Sequence, residues 1–177
     1  MLPIGAHFII VSGPPGSGKS TLASVLMARL SLPLISKDVI KEALMSTLHN
    51  EVVKDSNDLG AASMKVMYAM AGACPSGAIL EANFYRSFAL DEINALPGPK
   101  IEVFCRCTKE VALARYRERA GARDSGHFDN ERSNEQLWNP ETNEPISGEW
   151  PLIQVDTTHQ VDIEEVVRSI HNNLQSS

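Results

Sequence analysis

This sequence of 177 residues lacks the features that mark secreted, membrane-bound or polynucleotide-binding proteins. Its first residues carry no basic segment, and the first apolar run, Phe8–Val11, is too short to cross a bilayer. We therefore expect no secretory signal and no membrane partner. The net charge of −6 at pH 7 gives no general reason to expect non-specific binding to nucleic acid.

Cysteine is scarce, and its spacing excludes two further classes of protein. Cys74, Cys105 and Cys107 form no familiar metal-binding spacing, and their odd number does not suit a disulfide framework. Cys105 and Cys107 alternate along a predicted strand, so we expect their side chains to share a face. The favoured interpretation is reduced, buried thiols in a cytoplasmic protein, and a redox role is the alternative.

The composition favours one globular domain over residues 1–177. The chain is long enough to bury a substantial core, 43% of its residues are hydrophobic, and it has no internal repeat, low-complexity tract or interdomain linker. Positive charge is concentrated in one stretch, residues 100–123, which holds seven basic and three acidic side chains. The remainder of the chain has a net charge of −10. Either a monomer or a homodimer is compatible with these properties.

A phosphate-binding motif lies between the apolar run and a helix-favouring segment. The pattern G-x-x-x-x-G-K-[ST] in this strand–turn–helix context predicts a P-loop, whose backbone N–H groups and helix N-terminus bind a polyphosphate. Lys19 would reach the β- and γ-phosphates, and the Ser20 hydroxyl would join the ligands of Mg²⁺. The alternative is a turn that only links strand to helix. The predicted nucleotide-binding residues of the motif are Gly13, Pro14, Pro15, Gly16, Ser17, Gly18, Lys19, Ser20 and Thr21.

Predicted strands and helices alternate along the chain, with residues 121–148 irregular. This alternation predicts an α/β fold, in which helices cover both faces of a parallel sheet and ligands bind at the carboxyl ends of the strands. The predicted strands are His7–Ser12, Leu32–Ser36, Ala78–Leu80, Ile101–Cys107 and Leu152–Val155. The predicted helices are Lys19–Leu30, Asp38–Leu48, Leu59–Ala73, Arg86–Leu96, Lys109–Ala120 and Ile163–Leu174.

Asp38 follows the second predicted strand and is the candidate catalytic base. A hydroxyl that accepts a phosphoryl group loses its proton as the new bond forms, and a carboxylate near the γ-phosphate can take it. The alternative is that Asp38 caps the helix that follows, and both roles can hold together. Its neighbour Lys37 is a candidate substrate-binding residue.

Polar residues also follow the third strand. Glu81 ends this strand where a P-loop protein needs an acid for the Mg²⁺ shell; the usual residue is Asp, so a longer Glu suggests contact through water or with substrate. An ordinary solvated acid is the alternative. Asn83 and Arg86 are candidates to hold an acceptor. Of Phe84 and Tyr85, we expect at least one to lie in the core.

Arginines recur on one face of the predicted helix Lys109–Ala120. Arg115, Arg119 and Arg123 are four residues apart, so they share a face if the helix continues that far. Arginines in this pattern can bind phosphate oxygens and offset transition-state charge, although solvated salt bridges would explain them too. With the glycine-containing tract that follows, they predict a lid over about residues 115–135. Thr157, after the last strand, is a candidate for the base site.

Four stretches of the sequence resemble small P-loop kinases of the AAA-33 type: Gly13–Thr21, Ser36-Lys37-Asp38, Arg115-Tyr116-Arg117-Glu118-Arg119 and Gly126-His127. That group is similar to the kinase domain of bacteriophage polynucleotide kinase, chloramphenicol phosphotransferase and zeta-toxin kinases. The resemblance extends to about Asp156. It implies a three-layer fold with a five-stranded sheet in the order 2-3-1-4-5, Asp38 as acceptor base, and lid arginines on the phosphates. The sequence departs from the pattern at Glu81, where several relatives carry Asp.

The sequence thus predicts a kinase that uses ATP and Mg²⁺ and transfers the γ-phosphate to a hydroxyl of a small molecule. In this hypothesis Lys19, Asp38, Arg119 and Arg123 are catalytic, and Ser20 and Glu81 hold the metal. The preference for ATP over GTP depends on the absence of an N-K-x-D tetrapeptide. The alternatives are a kinase for polynucleotide 5′-hydroxyls or for nucleotides, and a nucleotide-dependent switch or ATPase without an acceptor.

Overall fold

The computed structural model describes residues 6–48, 56–120 and 138–175. Its five strands are β1 (His7–Ser12), β2 (Leu34–Ser36), β3 (Gly77–Glu81), β4 (Lys100–Arg106) and β5 (Leu152–Asp156). The helices in this part of the chain are α1 (Lys19–Leu30), α2 (Lys37–Thr47), α3 (Ser56–Gly72), α4 (Arg86–Asn94), α5 (Lys109–Ala120), α6 (Pro140–Asn143) and α7 (Ile163–Gln175).

The strands form one parallel sheet in the order β2-β3-β1-β4-β5, which confirms the predicted fold class. β1 is the central strand, and its Ile9 is in register with Ile79 of β3 and Ile101 of β4. Because all neighbouring strands are parallel, their carboxyl ends meet at one edge of the sheet. β1 at this edge leads into the P-loop.

Alternating side chains of the strands build a core on each face of the sheet. Phe8 and Ile10 of β1 belong to one buried cluster, which packs against α3 and α4, and Ile9 and Val11 belong to the other, which packs against α1 and α7. All four are fully buried. This arrangement follows from the period of two along a strand, because a parallel sheet covered on both sides needs apolar residues at every position. It gives the three layers that the sequence predicts.

The prediction was wrong about where β2 and α2 begin. β2 starts at Leu34 rather than Leu32, and Pro33, which has no N–H to donate, only accepts a hydrogen bond from Ile79 through its carbonyl oxygen (2.8 Å). α2 starts at Lys37, so the residue at its N-cap is Ser36 and not Asp38. The capping interpretation of Asp38 is therefore wrong, and its side chain lies in the first turn of α2.

Other differences concern the ends of elements and one short helix. β4 ends at Arg106, so half-buried Cys107 lies beyond the strand, whereas Cys105 is fully buried. α4 ends at Asn94, two residues before the predicted Leu96. The stretch predicted to be irregular contains the short helix α6, because the Asn139 side chain accepts a hydrogen bond from the Glu141 N–H (2.9 Å) and Pro140 suits the first turn.

Candidate active site

The P-loop presents backbone N–H groups at the start of α1. Gly18 is the N-cap residue with φ 83°, and no side chain caps the helix. The first turn of α1 also contains no acidic residue that would compete for its partial positive charge. The N-terminus of this helix is thus arranged to receive an anion from outside the chain.

Neighbouring elements support the loop through backbone contacts at two glycines. A Cβ at Gly13 would collide with the carbonyl oxygen of Cys105, and one at Gly16, where φ is 80°, would collide with the carbonyl oxygen of Ala112. The loop therefore packs directly on β4 and α5, and no other residue type fits at these two positions.

Lys19 is folded back along the loop. Its side chain is buried, and its Nζ donates a hydrogen bond to the carbonyl oxygen of Pro14 (3.0 Å). This contact holds the ammonium group over the loop, so its charge adds to that of the helix N-terminus.

Glu81 joins three segments at the edge of the sheet. This carboxylate, only 4% exposed, accepts hydrogen bonds from the Ser20 hydroxyl at Oε1 (3.1 Å) and from the Ser36 hydroxyl at Oε2 (2.6 Å). It is therefore a buried and oriented group rather than the solvated acid that the alternative interpretation assumed. Ser36 was not predicted as a site residue, and its sequence position directly before Lys37 and Asp38 was the only signal available.

The Ser20–Glu81 pair has the donor chemistry of a magnesium site. Mg²⁺ prefers hard oxygen ligands and takes one or two of them from protein, completing its octahedron with water and phosphate oxygens. A hydroxyl and a carboxylate already 3.1 Å apart fit that requirement. In the described residues no group of three or more His, Cys, Asp or Glu side chains could hold a metal by itself.

Thr157, which follows β5, forms a hydrogen bond with the P-loop. Its hydroxyl lies 2.6 Å from the Ser17 carbonyl oxygen and 3.0 Å from the Arg106 carbonyl oxygen. Arg115 of α5 donates to the Thr157 carbonyl oxygen (3.0 Å), which ties the same segment to α5. Both predicted residues therefore lie beside the loop, with contacts to protein backbone.

A cavity of ≈ 600 Å³, here called the P-loop cavity, opens beside these residues. Gly16, Gly18 and Thr21 line it on one side, and Arg115 and Thr157 on the other. Its volume is in the range of ligand pockets, and it adjoins the helix N-terminus that would receive the phosphates. Thr157 thus lines the cavity where a base site was predicted.

A second cavity, of ≈ 460 Å³, lies between α2, α3 and α4. We call it the helix-lined cavity. Asn83 and Lys37, two of the predicted substrate-binding residues, line it. Arg86 is not among its lining residues; it is exposed at the start of α4, near Glu141. Further lining residues that the sequence did not single out are Lys41, Lys65, Tyr68 and Glu92.

Asp38 is exposed beside this cavity. Its carboxylate accepts a hydrogen bond from the Lys37 ammonium group (3.2 Å). The pair lies at the start of α2, immediately after Ser36, whose hydroxyl donates to the same Glu81 carboxylate as Ser20. An exposed carboxylate that is already paired with a cation is available to an incoming hydroxyl group.

Aromatic and methionine residues near the site divide between core and cavity. Phe84 is buried, as expected for one of the pair, whereas Tyr85 lines the helix-lined cavity. Met67 is fully buried, Met64 lines the cavity, and Met70 is half exposed. These three methionines of α3 therefore do not all belong to the core.

Two cysteines, Cys105 and Cys107, lie close to the P-loop. Burial raises the pKa of Cys105 to about 12, and burial also raises the pKa of Cys107 although Arg115 opposes it. Both thiols are free of disulfides. Cys107 packs with its Sγ 4.0 Å from the Gly16 carbonyl oxygen. Protonated thiols in this position favour the structural interpretation over a redox role.

Glu102 is a second buried carboxylate that sequence reasoning missed. It is fully buried on β4 and accepts hydrogen bonds from the Ser12 hydroxyl (2.6 Å), the Ile146 N–H (2.9 Å) and the Ser147 N–H (3.4 Å). It thereby fixes the residue before the P-loop to a later segment. A charged residue inside an otherwise apolar strand was the available signal.

The predicted lid lies largely outside the described residues. Arg119 belongs to α5, but its side chain is outside the described part, as are Arg123 and most of the stretch 115–135. No described helix has the length and apolar character that a bilayer crossing demands.

Comparison with known proteins adds a family and a fold. The sequence model of AAA_33 (AAA domain) matches residues 8–139. A stretch of 46 residues is 44% identical to cytidylate kinase of Sulfolobus acidocaldarius; it covers 26% of this chain and 25% of that kinase. The chain thus matches about a quarter of the length of that relative.

Solved structures are similar over nearly the whole chain. A protein from Chloroflexus aurantiacus J-10-fl described as a "putative kinase" is 27% identical with a TM-score of 0.76, and the match covers 99% of each chain. A gluconokinase from Sinorhizobium meliloti 1021 is 21% identical with a TM-score of 0.63, covering 97% of this chain and 92% of that one. The gluconokinase match, at that identity, concerns the fold alone.

Proposed function

This chain belongs to the AAA_33 family of P-loop domains, and from that premise we propose that it is an ATP-dependent kinase for a hydroxyl group of a small molecule. The observation that carries the proposal is the hydrogen-bonded connection through Glu81. Ser20 at the P-loop and Ser36 at the end of β2 both donate to this carboxylate. Since Ser36 precedes Lys37 and Asp38, the connection joins a phosphate-binding loop to a separate cavity for an acceptor.

On the donor side, the polyphosphate of ATP would accept hydrogen bonds from the loop N–H groups and from Lys19. The base and ribose would occupy the P-loop cavity, beside Thr157 and Arg115. Ser20 and Glu81 would hold Mg²⁺, which when bound neutralises charge on the β- and γ-phosphates. The whole chain, residues 1–177, acts in this proposal as one kinase domain.

On the acceptor side, Asp38 would take the proton of the attacking hydroxyl. The acceptor oxygen forms a bond to the γ-phosphorus, the bond from that phosphorus to the bridging oxygen breaks, and ADP leaves with the electron pair. Lys37 and Asn83, which line the helix-lined cavity, would orient the acceptor. Asp38 is exposed and lies one residue from the helix-lined cavity, which supports this role.

Arginines of α5 and the following lid would complete the site. Arg119 and Arg123 would bind the transferring phosphate and offset its charge, while Arg115 keeps Thr157 against the loop. Closure of such a lid excludes water and thereby favours transfer to an acceptor over hydrolysis.

A nucleotide kinase is the second candidate. The stretch of 46 residues that is 44% identical to a cytidylate kinase favours it, although the match spans only a quarter of that enzyme. In this alternative the acceptor atom is a phosphate oxygen, which needs no base, so catalysis would not depend on Asp38.

The test is ADP formation with purified protein, ATP and Mg²⁺, with and without a panel of hydroxyl compounds and CMP. We expect an acceptor to stimulate turnover and Asp38→Asn to lower that stimulated rate by about 10²- to 10⁴-fold, the range of a general base. The matched control is Asp91→Asn, an exposed acid of α4 that does not line the cavity.

Each result has a definite meaning. Turnover that no acceptor stimulates and that Asp38→Asn leaves unchanged contradicts the kinase proposal and favours a switch or ATPase. Stimulation by CMP alone, with both variants equally active, replaces the hydroxyl acceptor with a nucleotide.

A further inference from the structure

The helix-lined cavity is positively charged in a chain that is negative as a whole. Among the described residues, three lysines (Lys37, Lys41 and Lys65) and one acid (Glu92) line it, a local charge of +2 against −6 for the chain. Asp38, which contacts Lys37, lowers the local value to +1. Lys65 forms an ion pair with Glu92, so this lysine is held at the cavity wall. A concave surface with this excess of positive charge attracts an anionic ligand.

Tyr68, one of the residues that line the same cavity, has a buried hydroxyl without a partner among the described residues. Tyr68 of α3 is 8% exposed, and its Oη has no hydrogen-bond partner among the described residues. Its ring packs in the core, while the residue also lines the cavity. Burial and the nearby Glu92 raise the pKa of this phenol, so the group stays protonated. An unpaired buried hydroxyl is unfavourable, and a polar atom of a bound ligand would satisfy it.

Two exposed aromatic rings border the cavity at the start of α4. Tyr85 is 40% exposed and Phe88 is 77% exposed, and both line the cavity. Large rings lose favourable burial when they face water, and their flat faces suit stacking on another planar group. The cavity volume of ≈ 460 Å³ suits a compact ligand of one or two rings.

We propose that the acceptor is a small planar-ring compound that carries an anionic substituent as well as the reacting hydroxyl. Its anionic group would lie among Lys37, Lys41 and Lys65, its ring against Tyr85 and Phe88, and a polar atom within reach of Tyr68. This inference rests on the proposed kinase function, because that function makes the helix-lined cavity the acceptor site.

Three probe compounds separate the contribution of the anionic group to binding from that of the ring. 4-(Hydroxymethyl)benzoate carries the ring, hydroxyl and anion; 4-(hydroxymethyl)benzamide is its uncharged analogue; 6-hydroxyhexanoate has the anion without a ring. Binding is measured by calorimetry without nucleotide, and turnover by ADP formation with ATP. We expect the benzoate to bind about tenfold more tightly than either analogue, which corresponds to one favourable charge or stacking contact.

Three variants assign the contacts. Lys41→Met should abolish the preference for benzoate over benzamide, and Phe88→Ala should abolish the preference for benzoate over 6-hydroxyhexanoate. Tyr68→Phe should weaken benzoate binding by about fivefold, the effect of one lost hydrogen bond. The control is Lys100→Met, which removes the same charge at the first residue of β4, at the opposite edge of the sheet.

The outcomes distinguish this inference from the kinase proposal. Equal binding of benzoate and benzamide, or tighter binding of 6-hydroxyhexanoate, overturns the inference, and the kinase proposal stands if another hydroxyl compound stimulates Asp38-dependent turnover. Benzoate preference that Lys41→Met abolishes, without turnover of any acceptor, supports an anionic-ring ligand in the cavity but contradicts its role as acceptor, together with the kinase proposal. Preference for CMP over cytidine, with CDP as product, keeps the anionic-ring inference and replaces the hydroxyl acceptor with a phosphate.

Discussion

At the scale of single residues, Glu81 is the group on which both sides of the candidate site depend. Its two oxygens accept from different serines, one of α1 and one at the end of β2. The Ser36 bond leaves Oε1 directed at Ser20, so the carboxylate is oriented before any ligand arrives. Orientation of this kind reduces the reorganisation that metal or phosphate binding requires.

Ser36→Ala should therefore weaken the response to Mg²⁺ without unfolding the protein. The loss of one hydrogen bond to a charged, buried group predicts a decrease of about 1.5–3 kcal/mol in the free energy of unfolding. The magnesium concentration for half-maximal activity should rise severalfold. Magnesium titration of ADP formation and urea denaturation measure the two effects. Ser46→Ala is the control, because Ser46 bonds only to the Ala43 carbonyl oxygen on exposed α2 surface. Equal behaviour of the two variants would contradict this role for Ser36.

At the scale of elements, the P-loop depends on its neighbours. The backbones of β4 and α5 lie against Gly13 and Gly16, and Thr157 after β5 binds the loop carbonyl of Ser17. The loop conformation is thus fixed by segments that come much later in the chain. This support explains how three residues with positive φ, Gly13, Gly16 and Gly18, keep one geometry.

Gly16→Ala should disrupt both stability and nucleotide binding. The added methyl group would meet the Ala112 carbonyl at a positive φ, so we expect a loss of at least about 2 kcal/mol in the free energy of unfolding. Gly72 lies at the end of α3, with open space around an added Cβ. We expect Gly72→Ala to raise the free energy of unfolding by about 0.5–1 kcal/mol. Urea denaturation and ATP titration compare the two variants. A Gly16→Ala protein as stable as Gly72→Ala would show that the loop does not need a glycine there.

Thr157→Val removes a hydroxyl while keeping the shape of the side chain. The Ser17 carbonyl oxygen loses its hydroxyl partner, whereas the Arg106 carbonyl oxygen keeps the Thr157 N–H (2.8 Å). We expect the free energy of unfolding to decrease by about 1–2 kcal/mol and ATP to bind several times more weakly. Thr47→Val is the control, because Thr47 is exposed at the end of α2. ATP affinity that is unchanged in Thr157→Val would mean that the hydroxyl supports the fold but not the loop.

At the scale of the whole molecule, the buried thiol of Cys105 makes the free energy of unfolding decrease at alkaline pH. Its pKa rises from the ordinary value of 9.0 to about 12 in the folded protein, so above pH 9.0 the unfolded chain loses a proton that the folded chain keeps. Stability is then fully present below pH 9.0 and decreases as the pH rises toward 12. Tyr68, whose pKa is also raised, adds to the decrease.

Cys105→Ala should lower the free energy of unfolding at pH 8. Between pH 9 and 10.5, the free energy of unfolding of this variant should decrease less steeply with pH than that of the parent protein, whereas Cys74→Ala should behave like the parent protein. Cys74 is the matched control because it lies at partial exposure outside the sheet. Urea denaturation at a series of pH values gives the slope of the free energy of unfolding against pH for each protein. A parent slope that Cys105→Ala leaves unchanged would assign the alkaline effect to other groups.

Elements with strong local signals were predictable from the sequence, and those that depend on distant contacts were not. The bounds of β1, α1 and α5 match the prediction because the P-loop and helix-favouring segments mark them. α2 begins one residue early because Ser36 binds Glu81, which is 45 residues away. Residue types could suggest that Glu81 and Ser20 act together, but only the sheet order brings them to 3.1 Å.

The acceptor side shows the same limit. Asn83 and Lys37 were predictable because they follow strand ends, whereas Tyr68 lies in an apolar helix that resembles ordinary core. Lys41 is four residues from Lys37 and so shares its helix face, a signal that could have found it. Arg119, Arg123 and the lid remain predictions, since their side chains lie outside the described residues.

The bond between Thr157 and Ser17 also has a consequence for biosynthesis. These residues are 140 positions apart, so the P-loop acquires this support only after residue 157 has left the ribosome. Contacts at such separation form late because the intervening chain must be ordered first. A nascent chain stopped before residue 157 therefore carries the complete nucleotide-binding motif but lacks that support, and we expect it to bind ATP more weakly than the longer chain.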